Sequence, residues 1–509
     1  MSENGWQGGG RQEYKCGMPA SISSPPSASP ALDRLSCYRA LSARDARFDG
    51  VFFTGVKTTG IYCRPVCGVK TPRESSCEFF SSAAAAEAAG FRPCLRCRPE
   101  LAPYALQQNL AHAVWQRIAG GALNDGKLER LAAEVGLSSR QLRRVLLQHF
   151  GVTPVELAQT QRLLFAKKLL QETGLPMTEV AFAAGFGSVR RFNALFAARY
   201  RIAPGELRRS APRRTCADGA LTLRLAYRPP YDWDRVLRYL SGRAAAKVES
   251  VDASARSYAR SIRVGELTGW LRATPVEHRS QLQVEVSPSL AGVLMPLLGR
   301  VRQQFDLDAN PAAIEAHLAA DSLIADRIAA SPGLRVPGAF DAFELAVRAV
   351  LGQQVSVAGA TTLCGRLVER FGDACETPLA GITHHFPLPA RLAAADPADI
   401  AAIGLPRARA ATLCALARFA AGGGLQLRPG ASLEQAVARL KSVPGIGEWT
   451  AQYIAMRALR FPDAFPAGDL GLQKQAAPGG GRLTEKQLAA RAHAWSPWRA
   501  YAALALWME

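Results

Sequence analysis

No run of about 18 apolar residues, the minimum for a membrane-spanning helix, occurs anywhere in these 509 residues. The opening stretch MSENGWQGGGRQEYKC lacks the apolar segment of a secretory signal, and we therefore expect a soluble, intracellular protein. Acidic side chains are scarce: 42 Asp and Glu stand against 62 Lys and Arg, a formal charge of +20. A field of that sign does little for small neutral substrates and draws polyanions, nucleic acid ahead of an anionic membrane. In a reducing compartment the eleven cysteines are expected to bind metal or do chemistry rather than to form disulfides. The length is too great for one core and suggests roughly three or four domains.

Large apolar side chains are few in residues 1–31, rich in Gly, Ser and Pro, which reads as a disordered tail. Residues 32–104 form a small cysteine-bearing unit with a strand at Val51 to Phe53 and a helix at Ser82 to Ala89 ended by Gly90. From 105 to 208 apolar residues recur at spacings of three and four, the period of helices, and 209–218 reads as a linker. Within 219–308, LTLRLAY and QLQVEVS alternate like strands, with DWDRVLRYL helical between them, so an α+β domain is expected. From 309 to 509 the pattern is helical again. The fold class is thus multi-domain and mainly α.

Two cysteine pairs dominate the first unit: Cys63 and Cys67 with three residues between them, Cys94 and Cys97 with two. Such pairs on turns can close a four-thiolate zinc site, whether as a structural knot or as a reactive centre, since zinc keeps each thiol deprotonated. Arg64, Arg92, Arg96 and Arg98 crowd the ligands, which offsets thiolate charge and offers phosphate contacts. The stretch FDGVFFTGVKTTGIYCRPVC…AAGFRPCLRCRPE, in spacing and flanks, resembles the zinc domain of Ada-type methyl-phosphotriester repair proteins. The resemblance implies that Cys63 accepts a methyl group from a DNA phosphotriester in a single turnover, while Cys63, Cys67, Cys94 and Cys97 hold zinc. Cys37 and Cys77 lie outside the pattern and read as packed thiols.

The helical stretch repeats itself. LAAEVGLSSRQLRRVLLQHFGVTPVE and VAFAAGFGSVRRFNALFAARYRIAPGE share an apolar helix, a glycine turn (Gly136, Gly185) and a polar helix start, the order of a helix-turn-helix. Residues 105–214 carry 17 Lys and Arg against 7 Asp and Glu, half of the chain's excess charge. A solvated basic bundle would explain the charge but not the duplication. The region resembles the AraC-type DNA-binding domain, with recognition helices expected from Ser138 to His149 and Ser188 to Ala198. Arg140, Arg143, Arg144, Arg190 and Arg191 are the expected DNA-facing side chains.

Near the end, LKSVPGIGEWTAQYIAMRAL spells a helix, a hairpin with Gly445 and Gly447, and a second helix whose free N–H groups can meet a phosphate. After it, DAFPAGDLGLQK places Asp469 in a loop, where an aspartate can equally be a helix cap. With DAFELAVRAVLGQQVSVAGA, RLAAADPADIAAIGLPRARA and WSPWRAYAALALW, the stretch from about 221 to 509 resembles AlkA-type alkylbase DNA glycosylases. That resemblance implies a TATA-binding-protein-like α+β domain, then an all-α helix-hairpin-helix domain with Asp469 catalytic. It also implies an aromatic pocket of Trp449, Tyr453 and Trp507 for a cationic alkylated base. Gln354, after Gln353, stands where the family often carries a leucine wedge.

Absences narrow the activity again. Trp449 occupies the place of the lysine that backbone-cutting hairpin glycosylases use, so no Schiff base forms and a monofunctional enzyme is expected. Cys364, Cys375 and Cys414 are too scattered for an iron–sulfur cluster, and no PCHR motif of alkylguanine transferases occurs. The reading is a cytoplasmic, nucleoid-associated, monomeric alkylation-response protein that binds zinc and double-stranded DNA, with RNA polymerase as the partner its activator half implies. Its rival is a transcription regulator whose C-terminal half only clamps DNA.

Overall fold

The computed structural model describes residues 33–103, 110–124, 126–210, 219–276, 278–428, 430–477 and 481–507. The tail of residues 1–31 and most of the 209–218 linker lie outside them; Arg209 and Ser210 close the helix Pro204–Ser210.

The cysteine unit is a four-stranded sheet in the order β3-β1-β2-β4: β1 Phe53–Val56, β2 Ile61–Cys63, β3 Cys77–Phe80 and β4 Arg92–Pro93. The first strand lies a little C-terminal to the one read from the sequence. β4 runs parallel to β2, with Tyr62 opposite Pro93 and the Cys94 N–H donating to the Tyr62 carbonyl at 3.0 Å. Each strand delivers its first cysteine at its own C-terminal end, so parallel pairing sets Cys63 beside Cys94 although 30 positions separate them. Ser82 caps the helix Ala83–Ala88, and Gly90 follows at φ +90°.

Both helix-turn-helix units form. The helix Leu128–Glu134 turns at Gly136 (φ +71°) into Ser139–Phe150, whose start is closed by a reciprocal Ser138–Gln141 capping box. The helix Met177–Ala183 turns at Gly185 (φ +81°) into Val189–Tyr200, capped by Ser188. A 19-residue helix, Pro154–Glu172, joins them. The first unit keeps its own core, to which Ala84 of the cysteine unit contributes; the second, with Phe186, Phe192 and Phe196, is continuous with the core of the C-terminal half.

The next domain is a five-stranded antiparallel sheet, β5-β9-β8-β7-β6, with β5 Leu221–Ala226, β6 Glu249–Asp252, β7 Ser257–Val264, β8 Leu267–Val276 and β9 Gln281–Val286. Leu221, Leu223 and Leu225 face Val286, Val284 and Leu282 across β5 and β9, and all six are buried. The remainder is helical apart from a short pair, Asp373–Ala374 with His384–His385. Among the described residues no helix is long and apolar enough to cross a membrane.

Buried charge ties the N-terminal units to the rest. Glu87 accepts from Tyr62 Oη at 3.1 Å and Thr160 Oγ1 at 2.9 Å, and lies 3.5 Å from Arg199 of the second recognition helix. Glu100 binds Lys167 at 2.6 Å and Arg98 at 2.9 Å; Glu172 binds Arg98 at 2.7 Å, Lys168 at 2.8 Å and the Arg224 N–H of β5 at 3.1 Å. Arg228, after β5, donates to the Asp49 carbonyl at 2.7 Å.

Candidate sites for metal, DNA and the damaged base

The Sγ atoms of Cys63, Cys67, Cys94 and Cys97 lie within 4.8 Å of one another, and among the described residues no other His, Cys, Asp or Glu group is so gathered. A tetrahedral zinc with bonds of about 2.3 Å needs sulfurs roughly 3.8 Å apart, so the donor set fits. Four thiols this close also compete for protons: hydrogen bonding to Cys67, then to Cys94 and Cys97, pushes Cys63 up, while bonding to Cys63 pulls Cys94 down. Only a cation lets all four ionise together. Cys63 is 5% exposed, Cys67 4% and Cys94 6%, and Cys97 is the most open of the set.

The arginines around the cluster divide. Arg64 gives both its Nε and Nη2 to the buried Asp49 carboxylate and its backbone N–H to Cys97 Sγ at 3.4 Å. Arg98 is spent on Glu100 and Glu172. Both guanidinium groups are thus engaged by carboxylates that the sequence reading did not connect to them: the partners sit at 49, 100 and 172, and a charge count around the cysteines does not register them. Arg96 is exposed and Arg92 half-buried. Cys37 and Cys77 are buried, packed thiols, as read. Arg140, Arg143, Arg144, Arg190 and Arg191 are all exposed at the starts of the two recognition helices.

In the C-terminal half, the helices Leu433–Lys441 and Glu448–Arg457 flank the hairpin. Gly445 is required there twice over, by φ +87° and because a Cβ would stand 2.0 Å from Thr412 Oγ1; at Gly447, the N-cap, a Cβ would meet open space. Gln354 is exposed and left-handed at φ +55°. Gln353, which the sequence reading gave no role, ties that loop to the hairpin by donating at 3.0 Å to both the Gly445 carbonyl and Thr450 Oγ1.

Beside the hairpin is a cavity of about 1240 Å³ lined by Asp469, Trp449, Tyr453, Trp507, Gln353 and Gln354 among others. Asp469 caps the helix Leu470–Gln475 and faces this cavity at the same time, so capping does not withdraw its carboxylate from the cavity. Its Oδ1 accepts from the Leu472 N–H and from Trp507 Nε1, each at 3.0 Å, and its Oδ2 from Trp449 Nε1 at 3.0 Å. Two indoles from separate helices, Glu448–Arg457 and Arg499–Trp507, therefore fix one carboxylate. Trp449 stacks on Tyr453 with centroids 5.5 Å apart, and Trp507 meets Tyr453 edgewise at 6.1 Å. Asp463, the nearest acidic alternative in sequence, is held by Arg499 at 2.8 and 2.9 Å and by Ser496.

Tyr239, Arg243 and Arg457 are among the further residues that line the cavity without having been read from the sequence. Arg457 lies one turn past Tyr453 on the same helix, a spacing that could have flagged it; it donates to the hydroxyls of Tyr453 at 2.8 Å and Tyr239 at 2.5 Å. Its positive charge holds the Tyr453 hydroxyl below the usual phenol range even though burial pushes the other way.

Comparison with known proteins follows the same divisions. The metal binding domain of Ada matches residues 36–100, a helix-turn-helix domain 131–210, the AlkA N-terminal domain 222–341, and the HhH-GPD superfamily of base excision DNA repair proteins 347–500. A Mycobacterium tuberculosis protein described as a probable bifunctional transcriptional activator/DNA repair enzyme AlkA is 39% identical over 479 residues, 92% of this chain and 95% of the relative. DNA-3-methyladenine glycosylase 2 of Escherichia coli K12 is 41% identical over 283 residues, 56% of this chain and 95% of that protein. The bifunctional transcriptional activator/DNA repair enzyme Ada of the same organism is 35% identical over 149 residues, 29% of this chain and 42% of that protein.

Proposed function

We propose, for a chain that belongs to the family of bifunctional transcriptional activator/DNA repair enzymes, that its two halves answer one kind of damage by different chemistry. The enzyme is a zinc-dependent methyl acceptor joined to a DNA-3-methyladenine glycosylase, and it binds DNA through helix-turn-helix and helix-hairpin-helix elements.

In the N-terminal half, Cys63, Cys67, Cys94 and Cys97 would hold the zinc, which would keep their thiols ionised at neutral pH. Cys63 sulfur bonds the methyl carbon of a DNA phosphotriester; the carbon–oxygen bond breaks and its electron pair stays on the phosphate, restoring the diester. The thioether lowers the negative charge of the site by one, which favours approach of the DNA polyanion. Nothing in the chain reverses the step, so it is a once-only signal, read at a promoter through Arg140, Arg143, Arg144, Arg190 and Arg191. RNA polymerase is the partner that such activation engages, and the chain acts as a monomer on the DNA of the cytoplasmic nucleoid.

In the C-terminal half, the hairpin at Gly445 and Gly447 grips the backbone beside a nucleotide turned out of the duplex, with Gln354 filling the gap. Trp449, Tyr453 and Trp507 surround the base. As the bond between C1′ and the base nitrogen breaks, positive charge grows on the sugar and Asp469 stabilises it, after which water adds at C1′. A cationic alkylated base leaves neutral, so no second carboxylate is needed to protonate it. The observation that carries this reading is the cavity-facing Asp469 carboxylate held by two indole N–H groups; a domain that only clamped DNA would need no such cavity. The test incubates the protein with duplex DNA treated with a methylating agent, then measures free bases by chromatography and the protein's peptides by mass spectrometry. Methylated purines in solution and one methyl group on the Cys63 peptide are expected; absence of free base would leave a regulator alone.

A further inference from the structure

Gly471 stands beside the Asp469 carboxylate for a reason other than backbone geometry. Unlike that of Gly445, its φ lies outside the left-handed region. It is the second residue of the helix Leu470–Gln475, where an L-residue fits without strain and where glycine costs helix stability relative to alanine. What glycine supplies there is space. Gly471 is exposed and lines the cavity. A Cβ on it would stand 3.0 Å from Asp469 Oδ1, and 3.7 and 3.8 Å from Cδ1 and Nε1 of Trp507. Any side chain at 471 would therefore begin in the gap between the carboxylate and the indole, and glycine keeps that gap clear.

We infer that Gly471 is a specificity-determining residue: the gap it leaves between Asp469 and Trp507 admits alkyl groups larger than methyl on the edge of the base that adjoins the bond to C1′. The inference rests on the glycosylase reading above, which sets Asp469 against C1′. Whatever lies beside Asp469 Oδ1 is then also beside the sugar-proximal edge of the flipped base. On a purine, a substituent at N3 shares that edge with the bond to C1′, as does one at O2 of a pyrimidine; a substituent at N7 points away from it. Each carbon added at N3 has to be housed close to the carboxylate without displacing it from the sugar. Packed sites feel a single methylene, so the volume of one side-chain carbon decides whether an ethyl group is accepted. The indole wall of the gap is largely apolar, and a short alkyl chain placed against it leaves water.

The test follows release of 3-methyladenine, 3-ethyladenine, 7-methylguanine and 7-ethylguanine from duplex DNA treated with a methylating or an ethylating agent, each as the enhancement over spontaneous loss, for the wild type and Gly471→Ala. In Gly471→Ala the ethyl-to-methyl ratio at adenine N3 is expected to fall at least about tenfold, the scale of one carbon that a pocket cannot house, while the ratio at guanine N7 stays within about twofold. An unchanged N3 ratio overturns the inference, including the case in which all the rates fall together because the new methyl group displaces Asp469. An equal fall in the N3 and N7 ratios overturns it as well, since the gap would then not be tied to one edge of the base. Should the alanine variant not fold, the wild type decides: 3-ethyladenine is expected within about threefold of 3-methyladenine, and a preference for methyl of about tenfold or more overturns the inference while leaving the glycosylase reading standing. Wild type no faster than Asp469→Asn on 3-methyladenine sinks that reading instead.

Discussion

Replacing Asp469 by asparagine keeps the volume and removes the charge, and the structure lets both consequences be sized. The carboxylate accepts three N–H groups, from Leu472, Trp507 and Trp449. An amide has one acceptor oxygen. If that oxygen keeps the Leu472 and Trp507 bonds, the amide nitrogen faces the Trp449 N–H, donor against donor, at a cost of about 1–3 kcal/mol. The catalytic loss is larger. A carboxylate roughly 4 Å from a sugar cation, at an effective dielectric of about 20, stabilises it by around 4 kcal/mol, or about a thousandfold in rate; partial exposure of the site reduces that toward a hundredfold. Single-turnover release of 7-methylguanine should therefore slow by about two to three orders of magnitude, while the Kd for damaged duplex, read by fluorescence anisotropy, moves by less than about threefold. Trp507→Phe separates the terms: it keeps the ring, removes one donor and leaves the charge, so its loss should be on the order of tenfold. Release by Asp469→Asn within about threefold of wild type would refute the assignment. Equal losses in the two variants would refute the electrostatic account and leave Asp469 as a helix cap.

Exposure alone would direct a methyl group to Cys97, the most open of the four thiols, whereas the proposed chemistry directs it to Cys63; peptide mass spectrometry after reaction with phosphotriester DNA should find it on Cys63, and Cys63→Ser should accept none. Arg143→Ala or Arg190→Ala should weaken promoter binding and lower the slope of log K against log salt by about one per contact, with base release unchanged, as gel-shift titrations at several salt concentrations would report. Burial pushes the Glu87 carboxyl up to about 7. The folded state thus holds a proton that the unfolded chain has released, so Glu87 costs stability as pH rises from the ordinary carboxylate range through about 7, by up to roughly 3 kcal/mol. Glu87→Gln should flatten the dependence of Tm on pH between about 5 and 7, and a dependence as steep as in wild type would argue that the carboxyl is already ionised at acid pH.

What the sequence made legible was local. Four thiolates arrive as two short-range pairs, glycines mark turns at 136, 185 and 445, and Ser138 and Ser188 sit one residue before their helices, so spacing alone reaches them. Two strands of the sheet domain whose sequences alternate cleanly, the edge strand β5 and its neighbour β9, were readable; β7 was not singled out, because burial on both sides, as along Tyr258 to Ile262, erases the alternation. Partners distant in sequence stayed hidden. Asp469 could be placed on a loop, but not between indoles at 449 and 507. Arg64 and Arg98 looked available to phosphate because Asp49 and Glu172 join them only through the tertiary fold. Tyr239 and Arg243 belong to a domain that, read by itself, gives no reason to expect either at a base-binding site.

The buried charges between the cysteine unit and the helix Pro154–Glu172 bear on how such a chain can be assembled from older parts. Lys167 and Lys168 are almost wholly out of solvent; the carboxylate of Lys167 is Glu100 of the cysteine unit, that of Lys168 is Glu172 on its own helix, and Glu87 of the cysteine unit meets Arg199. Grafting in a methyl-acceptor unit from another protein, one with no acid at position 100, would strand the Lys167 ammonium in a dry interior at a cost of several kcal/mol. Recombination among such genes is then limited less by the reach of a connecting segment than by one carboxylate, at 100, which must be inherited together with the helix whose Lys167 it neutralises.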